Sequence, residues 1–177
     1  MHRSDFNRRR ELESVSPEEF RSALRQFASG VTIVTAENGD EPYGITATSF
    51  ASISLDPPIV MVSVNNGSPL ADSIVEAEHF AVHILSHQQL DLSSRFATSI
   101  AGREKYVDLP VERGASGAPV LPGSLAMLDC VLEEMVRIGT HTVMFGRVVA
   151  ATFEAEAGSP LLYYHRSYRA LEPQNRT

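Results

Sequence analysis

A mainly β fold, a closed antiparallel barrel with a few peripheral helices, is what this sequence predicts, and three observations predict it. Segments of strand length rich in Val, Ile, Thr and Phe recur along the chain. Turn dipeptides such as Asn38-Gly39 and Gly139-Thr140 join neighbouring segments as hairpins. Only a few stretches carry helical periodicity behind a capping signal. Strands linked by hairpins with few helices bury their apolar faces by curling into a barrel. The 177 residues suit one domain. Residues 1–15 read as a charged N-terminal tail, 16–172 as the folded domain and 173–177 as a C-terminal tail.

Each element has a local reason. Ser16 can cap a helix, Pro17 suits its first position and Glu19 can close a capping box. Phe20, Leu24 and Phe27 follow at helical spacing, and Gly30 ends the helix. Residues 31–35 (VTIVT) form a β-branched strand, which the Asn38-Gly39 turn pairs with the next segment. That segment, residues 43–55 (YGITATSFASISL), has no formal charge and an unusual density of small residues and hydroxyls. As one strand it puts Ile45, Ala47, Ser49, Ala51, Ile53 and Leu55 on one face. Thr46, Thr48, Phe50, Ser52 and Ser54 take the other. Such a surface lets something flat and polar lie close to the backbone.

Pro57-Pro58 interrupts the chain before residues 59–64 (IVMVSV), whose near-continuous apolar character predicts a strand buried on both faces. Ser68-Pro69 repeats the cap-then-proline signal ahead of a short helix through Leu70, Ile74 and Val75. Residues 80–85 read as a strand and 88–97 as a helix with Leu92 and Phe96 on one side. Residues 98–123 are irregular, and long irregular segments in compact domains are often functional. Ala126, Leu128, Cys130, Leu132, Val136 and Ile138 mark the inward face of a long strand. Residues 142–153 run back, and 160–164 make a last strand.

Composition excludes several functions. With 22 acidic and 15 basic residues the formal charge is -7, which opposes binding to a phosphate backbone, so no nucleic-acid partner is expected. The Arg8-Arg9-Arg10 cluster reads as part of a solvated tail. The single cysteine, Cys130, leaves no internal disulfide and fits a reducing compartment. Residues 1–13 hold no apolar leader and no stretch reaches membrane-span length, so a cytoplasmic protein with no membrane partner is expected. The chain lacks Gly-x-Gly-x-x-Gly, a Walker loop, His-Glu-x-x-His and Gly-x-Ser-x-Gly. His79, His83 and His87 would share a helical face, but they fall on a strand-like segment with no completing ligand, so no metal site is assigned.

Taken in order, several motifs give the chain a resemblance to the flavin reductase family of short flavin-dependent NAD(P)H oxidoreductases. They are GVTIVT at 30–35, GITATSF at 44–50, SLDPP at 54–58, Asn65 with Ser68, SRFA at 94–97, Gly139-Thr140-His141 and PLLY at 160–163. The resemblance spans about residues 17–171, and the TATSF to LDPP block is its most specific part. It implies an antiparallel split β-barrel of the FMN-binding type, Greek-key-like. It also implies a homodimer with the flavin site near the subunit interface.

The implied site carries FMN or FAD, with NADH or NADPH as hydride donor. Backbone donors of Thr46, Ala47, Thr48, Ser49 and Phe50 would approach the polar edge of the flavin ring. Ser63, Val64, Asn65 and Ser68 belong to the same implied site, with the helix start at Ser68 suited to phosphate. Arg95, Phe96 and Ala97 follow, Phe96 covering the ring or the adenine, and Arg95 and Lys105 adding positive charge. His141 is the implied catalytic residue, able to orient the carboxamide or assist protonation. Thr140 stands where an acidic residue is commoner, and Arg166 where glycine is usual, which bears on nicotinamide binding. Tyr168 is a further implied contact.

The resulting expectation is an NAD(P)H:flavin oxidoreductase that supplies reduced flavin to a separate flavin-dependent monooxygenase. Two other readings share the barrel. One is a non-catalytic flavin-binding module. The other is a split-barrel oxidase acting on pyridoxamine phosphate, which would want a denser basic set than Arg95, Arg103 and Lys105.

Overall fold

The computed structural model describes residues 13–100, 102–154 and 158–171. Arg8-Arg9-Arg10, most of the expected N-terminal tail and all of the C-terminal one lie outside the described residues. In chain order the elements are α1 (Pro17–Leu24), β1 (Ser29–Gly30), β2 (Thr32–Asn38), β3 (Glu41–Ala47), β4 (Phe50–Leu55) and β5 (Pro58–Asn65). Then come α2 (Pro69–Ala77), β6 (His79–Ile84), α3 (Leu90–Phe96), β7 (Glu112–Arg113) and β8 (Pro119–Val120). The long hairpin of β9 (Ala126–Ile138) and β10 (His141–Phe153) is followed by β11 (Leu162–Tyr164) and β12 (Ser167–Arg169). No helix among the described residues is long and apolar enough to cross a membrane.

Seven antiparallel strands form the main sheet, in the order β3-β2-β6-β9-β10-β5-β4. The expected closed barrel is therefore open: β3 and β4 end the ladder on opposite sides, although they are consecutive in the chain. The expected single strand over residues 43–55 divides at Thr48-Ser49, where the chain leaves one edge and joins the other. Beyond the break the facing also changes, because a bulge shifts the β4 to β5 register between Ser52 and Ser54. The expected alternation over residues 43–55 thus holds only within β3.

The capping box at α1 forms as the sequence predicts: Ser16 Oγ accepts from the Glu19 N–H at 3.2 Å and Glu19 Oε2 accepts from the Ser16 N–H at 2.9 Å. The helix ends early, at Leu24, and buries none of its residues. The hairpin between β2 and β3 closes through Gly39 and Asp40, Gly39 taking φ +58°.

Burial on both faces belongs to β2 and β6, the inner strands, rather than to β5. On β2, Val34 and Ala36 enter a core with Val62, Phe80, Val82 and Met144. Val31 and Ile33 enter a second core with Leu85, Phe96, Tyr106 and Leu161. On β5, Val60, Val62 and Val64 are buried while Ile59, Met61 and Ser63 are half-buried, because β5 is only one strand from the edge. The long strand β9 departs from expectation too. Its inward pattern holds only to Leu132, and Met135, Val136 and Ile138 are exposed. The reason is that β6 pairs with β9 only as far as Val131, so the rest of the β9 to β10 hairpin overhangs the sheet.

The histidines at 79, 83 and 87 separate in role. His83 is fully buried on β6, its Nδ1 lying 3.1 Å from the Ile33 carbonyl while its Nε2 accepts from the Leu121 N–H at 3.0 Å. With Nε2 accepting, Nδ1 carries the proton and donates to Ile33, so the ring is neutral. Burial pulls its pKa down to about 4, against smaller upward contributions from the Ile33 carbonyl and Asp129. Between the ordinary histidine range and about 4 the unfolded chain binds a proton that the fold does not. His83 therefore takes stability away as pH falls through that window, by up to about 3 kcal/mol at its acid end. Urea titrations of the wild type and a His83→Gln variant between pH 7 and pH 4 should differ in this slope, the variant being flatter. Parallel curves would show that His83 is not the source.

Candidate functional site

Three clefts adjoin β3 and the segments packed on it. The first, of about 240 Å³, is lined by Thr46, Ala47, Thr48, Ala97 and Tyr168, with Val31 and Tyr163. The second, of about 290 Å³, is lined by Gly44, Ile45, Ser68, Thr98, Ser99 and Lys105, among others. These two share a wall: β3 runs from Gly44 and Ile45 in one to Thr46 and Ala47 in the other, and the end of α3 runs from Ala97 to Ser99 beside it. From Gly44 to Thr48 this track is about 13 Å long by strand rise. The third cleft, of about 740 Å³, shares Thr48 and Tyr163 with the first and opens toward α1 and the β11 to β12 turn.

The hydroxyls and small residues of the track do two kinds of work. Thr46 Oγ1 donates to the Ser93 carbonyl at 2.6 Å and so fixes α3 against β3. Ser93 Oγ in turn donates to the Tyr168 hydroxyl at 2.9 Å. Thr46 and Tyr168 are thus held through one serine. Ser49 Oγ donates to the Ser63 carbonyl at 2.7 Å, and the Ser63 N–H donates to the Ser49 carbonyl at 3.2 Å. This pins the start of the second edge. Thr48, between the two anchors, is exposed and lines two of the clefts. Gly44 has a packing reason that sequence reasoning missed: a Cβ there would stand 2.5 Å from the Phe96 ring and 2.8 Å from the Tyr106 hydroxyl.

Around Ser68 the geometry suits an anion. Ser68 occupies the N-cap position of α2 yet makes no side-chain cap hydrogen bond, so its hydroxyl is not spent on the helix. Its N–H donates to the Asn65 carbonyl at 2.9 Å, and Asn65 Oδ1 accepts from the Gly67 N–H at 2.8 Å, which sets the turn. Lys105 lines the same cleft. Its side chain is buried, Nζ donating to the Gly44 and Phe96 carbonyls at 3.1 Å each, and burial lowers its pKa. Two of its three N–H groups are thus spent, and one remains. An uncommitted hydroxyl, the first turn of a helix and an ammonium with a donor to spare make a donor set that fits a phosphate.

Other expected residues lie elsewhere. Phe96 is 1% exposed and packs edge-on against Tyr106 with ring centroids 5.1 Å apart, so it cannot cover a ligand and instead supports Gly44 from beneath. Val64 is buried in the core, and Phe50 packs against that same core. Arg95 is exposed and donates to the Val107 carbonyl at 2.9 Å, away from the two clefts on β3. His141 lines none of the three clefts. It is exposed, its Nδ1 lies 2.9 Å from Thr140 Oγ1, and in the ladder it stands opposite Asn65. The Asn66 N–H to Thr140 carbonyl bond at 3.0 Å ties the turn before His141 to the turn that leads into Ser68. Thr140, in place of an acid, is the hydroxyl partner of the imidazole.

Sequence reasoning did not select Arg21, Arg25, Phe27, Tyr163 or Tyr164, which line the large cleft. Arg21 and Arg25 are one helical turn apart, a spacing visible in the sequence, but nothing there shows that the turn between β11 and β12 meets them.

The family described as flavin reductase like domain matches residues 24–172. The FMN reductase (NADH) SmoA of Agrobacterium fabrum (strain C58 / ATCC 33970) is 42% identical over 144 residues, covering 81% of this chain and 80% of that protein. The flavin-dependent monooxygenase reductase subunit HsaB of Mycobacterium tuberculosis (strain ATCC 25618 / H37Rv) is 34% identical over 164 residues, covering 92% and 87%. The crystal structure of nitrilotriacetate monooxygenase component B from Mycobacterium thermoresistibile matches with a TM-score of 0.84 at 34% identity, over 90% of this chain and 89% of that one. An open seven-stranded sheet, a hydroxyl-lined track at its split and a match over most of the chain agree: this protein belongs to the flavin reductase like domain family.

Proposed function

We propose that this protein is an NADH-dependent flavin reductase that reduces FMN or FAD and releases the reduced flavin to a separate flavin-dependent monooxygenase. The observation that carries the reading is the continuous track from Ser68 and Lys105 to Thr48. One end offers phosphate donors and the other offers backbone and small side chains that admit a flat ring. The NADH relatives and monooxygenase reductase components in the family support the choice of donor and of recipient. Flavin supplies the hydride acceptor when bound, and the nicotinamide supplies the hydride. The residues of this chain bind and orient. Ser68 and Lys105 hold the phosphate, residues 46–49 meet the ring edge, and Tyr168 closes one side of the ring cleft.

His141 is assigned the polar role at the nicotinamide. Thr140 engages Nδ1, which leaves Nε2 to donate to or accept from a carboxamide. The overhang of β9 and β10 carries exposed Met135, Val136 and Ile138 beside an unpaired strand edge, which suits a second copy of the chain. The functional unit is therefore assigned as a homodimer.

Anaerobic mixing of the protein with free FMN or FAD and NADH should consume nicotinamide absorbance only when flavin is present, and no flavin-dependent loss with either flavin would end the reading. In the same assay His141→Ala should slow turnover by about a hundredfold, the lower end of what a general acid or base contributes. Unaltered turnover and KM would return His141 to a turn residue. Ser68→Ala should weaken FMN binding by about 0.5 to 2 kcal/mol and leave riboflavin, which has no phosphate, unaffected. Equal losses for both flavins would place the hydroxyl elsewhere. Sedimentation should show a dimer that Val136→Glu dissociates, and a monomeric wild type would contradict the assembly.

A further inference from the structure

Ser93, fully buried on α3, fastens two walls of the ring cleft at once. Its carbonyl accepts from Thr46 Oγ1 at 2.6 Å, which holds β3, and its hydroxyl meets the Tyr168 hydroxyl at 2.9 Å, which holds β12. Thr46 and Tyr168 both line that cleft, and Ala97, one helical turn beyond Ser93, lines it from α3.

Two hydroxyls that meet must divide the roles of donor and acceptor, and burial decides the division. A helical serine commonly disposes of its proton on the carbonyl four residues back. Ser73 on α2 does so, donating to the Pro69 carbonyl at 2.8 Å. Ser93 makes no such bond, and among the described residues its hydroxyl has the Tyr168 oxygen as its one acceptor. Ser93 has no exposed surface, so water cannot take the proton instead, and the reverse polarity would strand a buried donor. Ser93 therefore donates and Tyr168 accepts.

The proton of Tyr168 is then unspent, since among the described residues no acceptor takes it. The rest of the side chain is fixed. Its ring lies edge-on to Tyr163 with centroids 5.5 Å apart, and its backbone pairs with the same residue across the β11 to β12 hairpin. With the oxygen held by Ser93 on the buried side, the phenolic proton turns to the open side, where half-buried Tyr168 lines the cleft.

We propose that Ser93 is a positioning residue: by donating to Tyr168 it makes the phenol a hydrogen-bond donor aimed into the ring cleft. The inference rests on the flavin reductase reading for the identity of the ring. The edge of an isoalloxazine carries carbonyl oxygens and unprotonated nitrogens, which take a donor and would be repelled by a bare phenol lone pair. The same serine holds Thr46 through its carbonyl, so the β3 backbone and the phenol meet the ring in fixed register.

Riboflavin, which has neither phosphate nor adenine, is the probe, titrated into the full-length protein, Tyr168→Phe, Ser93→Ala and the double variant. Alanine at 93 keeps the carbonyl that holds Thr46 and removes only the hydroxyl. Tyr168→Phe should weaken riboflavin about fivefold, the loss expected of one neutral hydrogen bond. Ser93→Ala should also weaken it, by no more than that factor, and should cause no further loss in the Tyr168→Phe background. A second reading needs no ligand. Tyr168→Phe should lower Tm by stranding the buried Ser93 donor, and adding Ser93→Ala should raise Tm again. No riboflavin binding by wild type, unchanged affinity in Tyr168→Phe, or an equal loss from Ser93→Ala in both backgrounds overturns the proposal, even where flavin-dependent NADH oxidation proceeds. A Tm that falls further in the double variant overturns the donor assignment. The expected riboflavin and Tm patterns without any NADH oxidation would support Ser93 and end the reductase reading.

Discussion

Everything at the site depends on the chain leaving one edge of the sheet at Ala47 and joining the opposite edge at Phe50. A ladder that closed on itself would spend the backbone groups there on strand pairing. Because β3 and β4 do not pair, Thr48 is released from the ladder and lines two clefts. The break is narrow because it is anchored on both sides, by Thr32 Oγ1 donating to the Ala47 carbonyl at 2.8 Å and by the reciprocal Ser49 to Ser63 bonds. The hydroxyls that seemed to form a polar strand face are mostly the fastenings of the split.

The segment between α3 and β8 completes the site by covering the β3 edge. Tyr106 donates its hydroxyl to the Tyr43 carbonyl at 2.6 Å, Lys105 reaches the Gly44 carbonyl, and Thr46 reaches back to Ser93. Two successive carbonyls of the edge strand, those of Tyr43 and Gly44, thus accept from side chains rather than from another strand, and Thr46 ties the same edge to α3. Burial drives the Tyr106 pKa upward, so it stays a neutral donor in this position. Gly44 permits the approach, since any Cβ would collide with Phe96 and Tyr106. What reads in sequence as a long irregular loop is therefore an edge cover that also delivers an ammonium to the Ser68 cleft.

How much was legible follows from which constraints are local. The capping box at Ser16, the Asn38-Gly39 hairpin, the proline-led helix after Ser68 and the antiparallel order of the long hairpin rest on near-neighbour chemistry, and each is visible in sequence. The position of a strand within the sheet is not. Residues 59–64 look doubly buried but lie next to the edge, while β2, with its threonines, is buried on both faces. Phe96 illustrates the same limit at the site. Its motif places it on the implied flavin site, and it stands buried beneath Gly44, which lines the Ser68 cleft. The arginine-lined cleft was invisible because residues 21 and 25 meet residue 166 only through tertiary docking.

A reductase whose product must leave for another enzyme gains nothing from an enclosed site. The features on the β3 track agree with that demand. The end proposed for the phosphate is a serine hydroxyl and an ammonium already sharing two N–H groups with backbone carbonyls, not a dense cationic cage. The end proposed for the ring is bounded by exposed Thr48 and Ala97. Tight binding of the flavin would lower the affinity threshold for substrate at the expense of release, and uniform binding energy does not raise turnover. The stronger charges stand instead at the far cleft, beyond Thr48. That separation leaves few charged contacts on the β3 track itself, as exchange of the flavin demands.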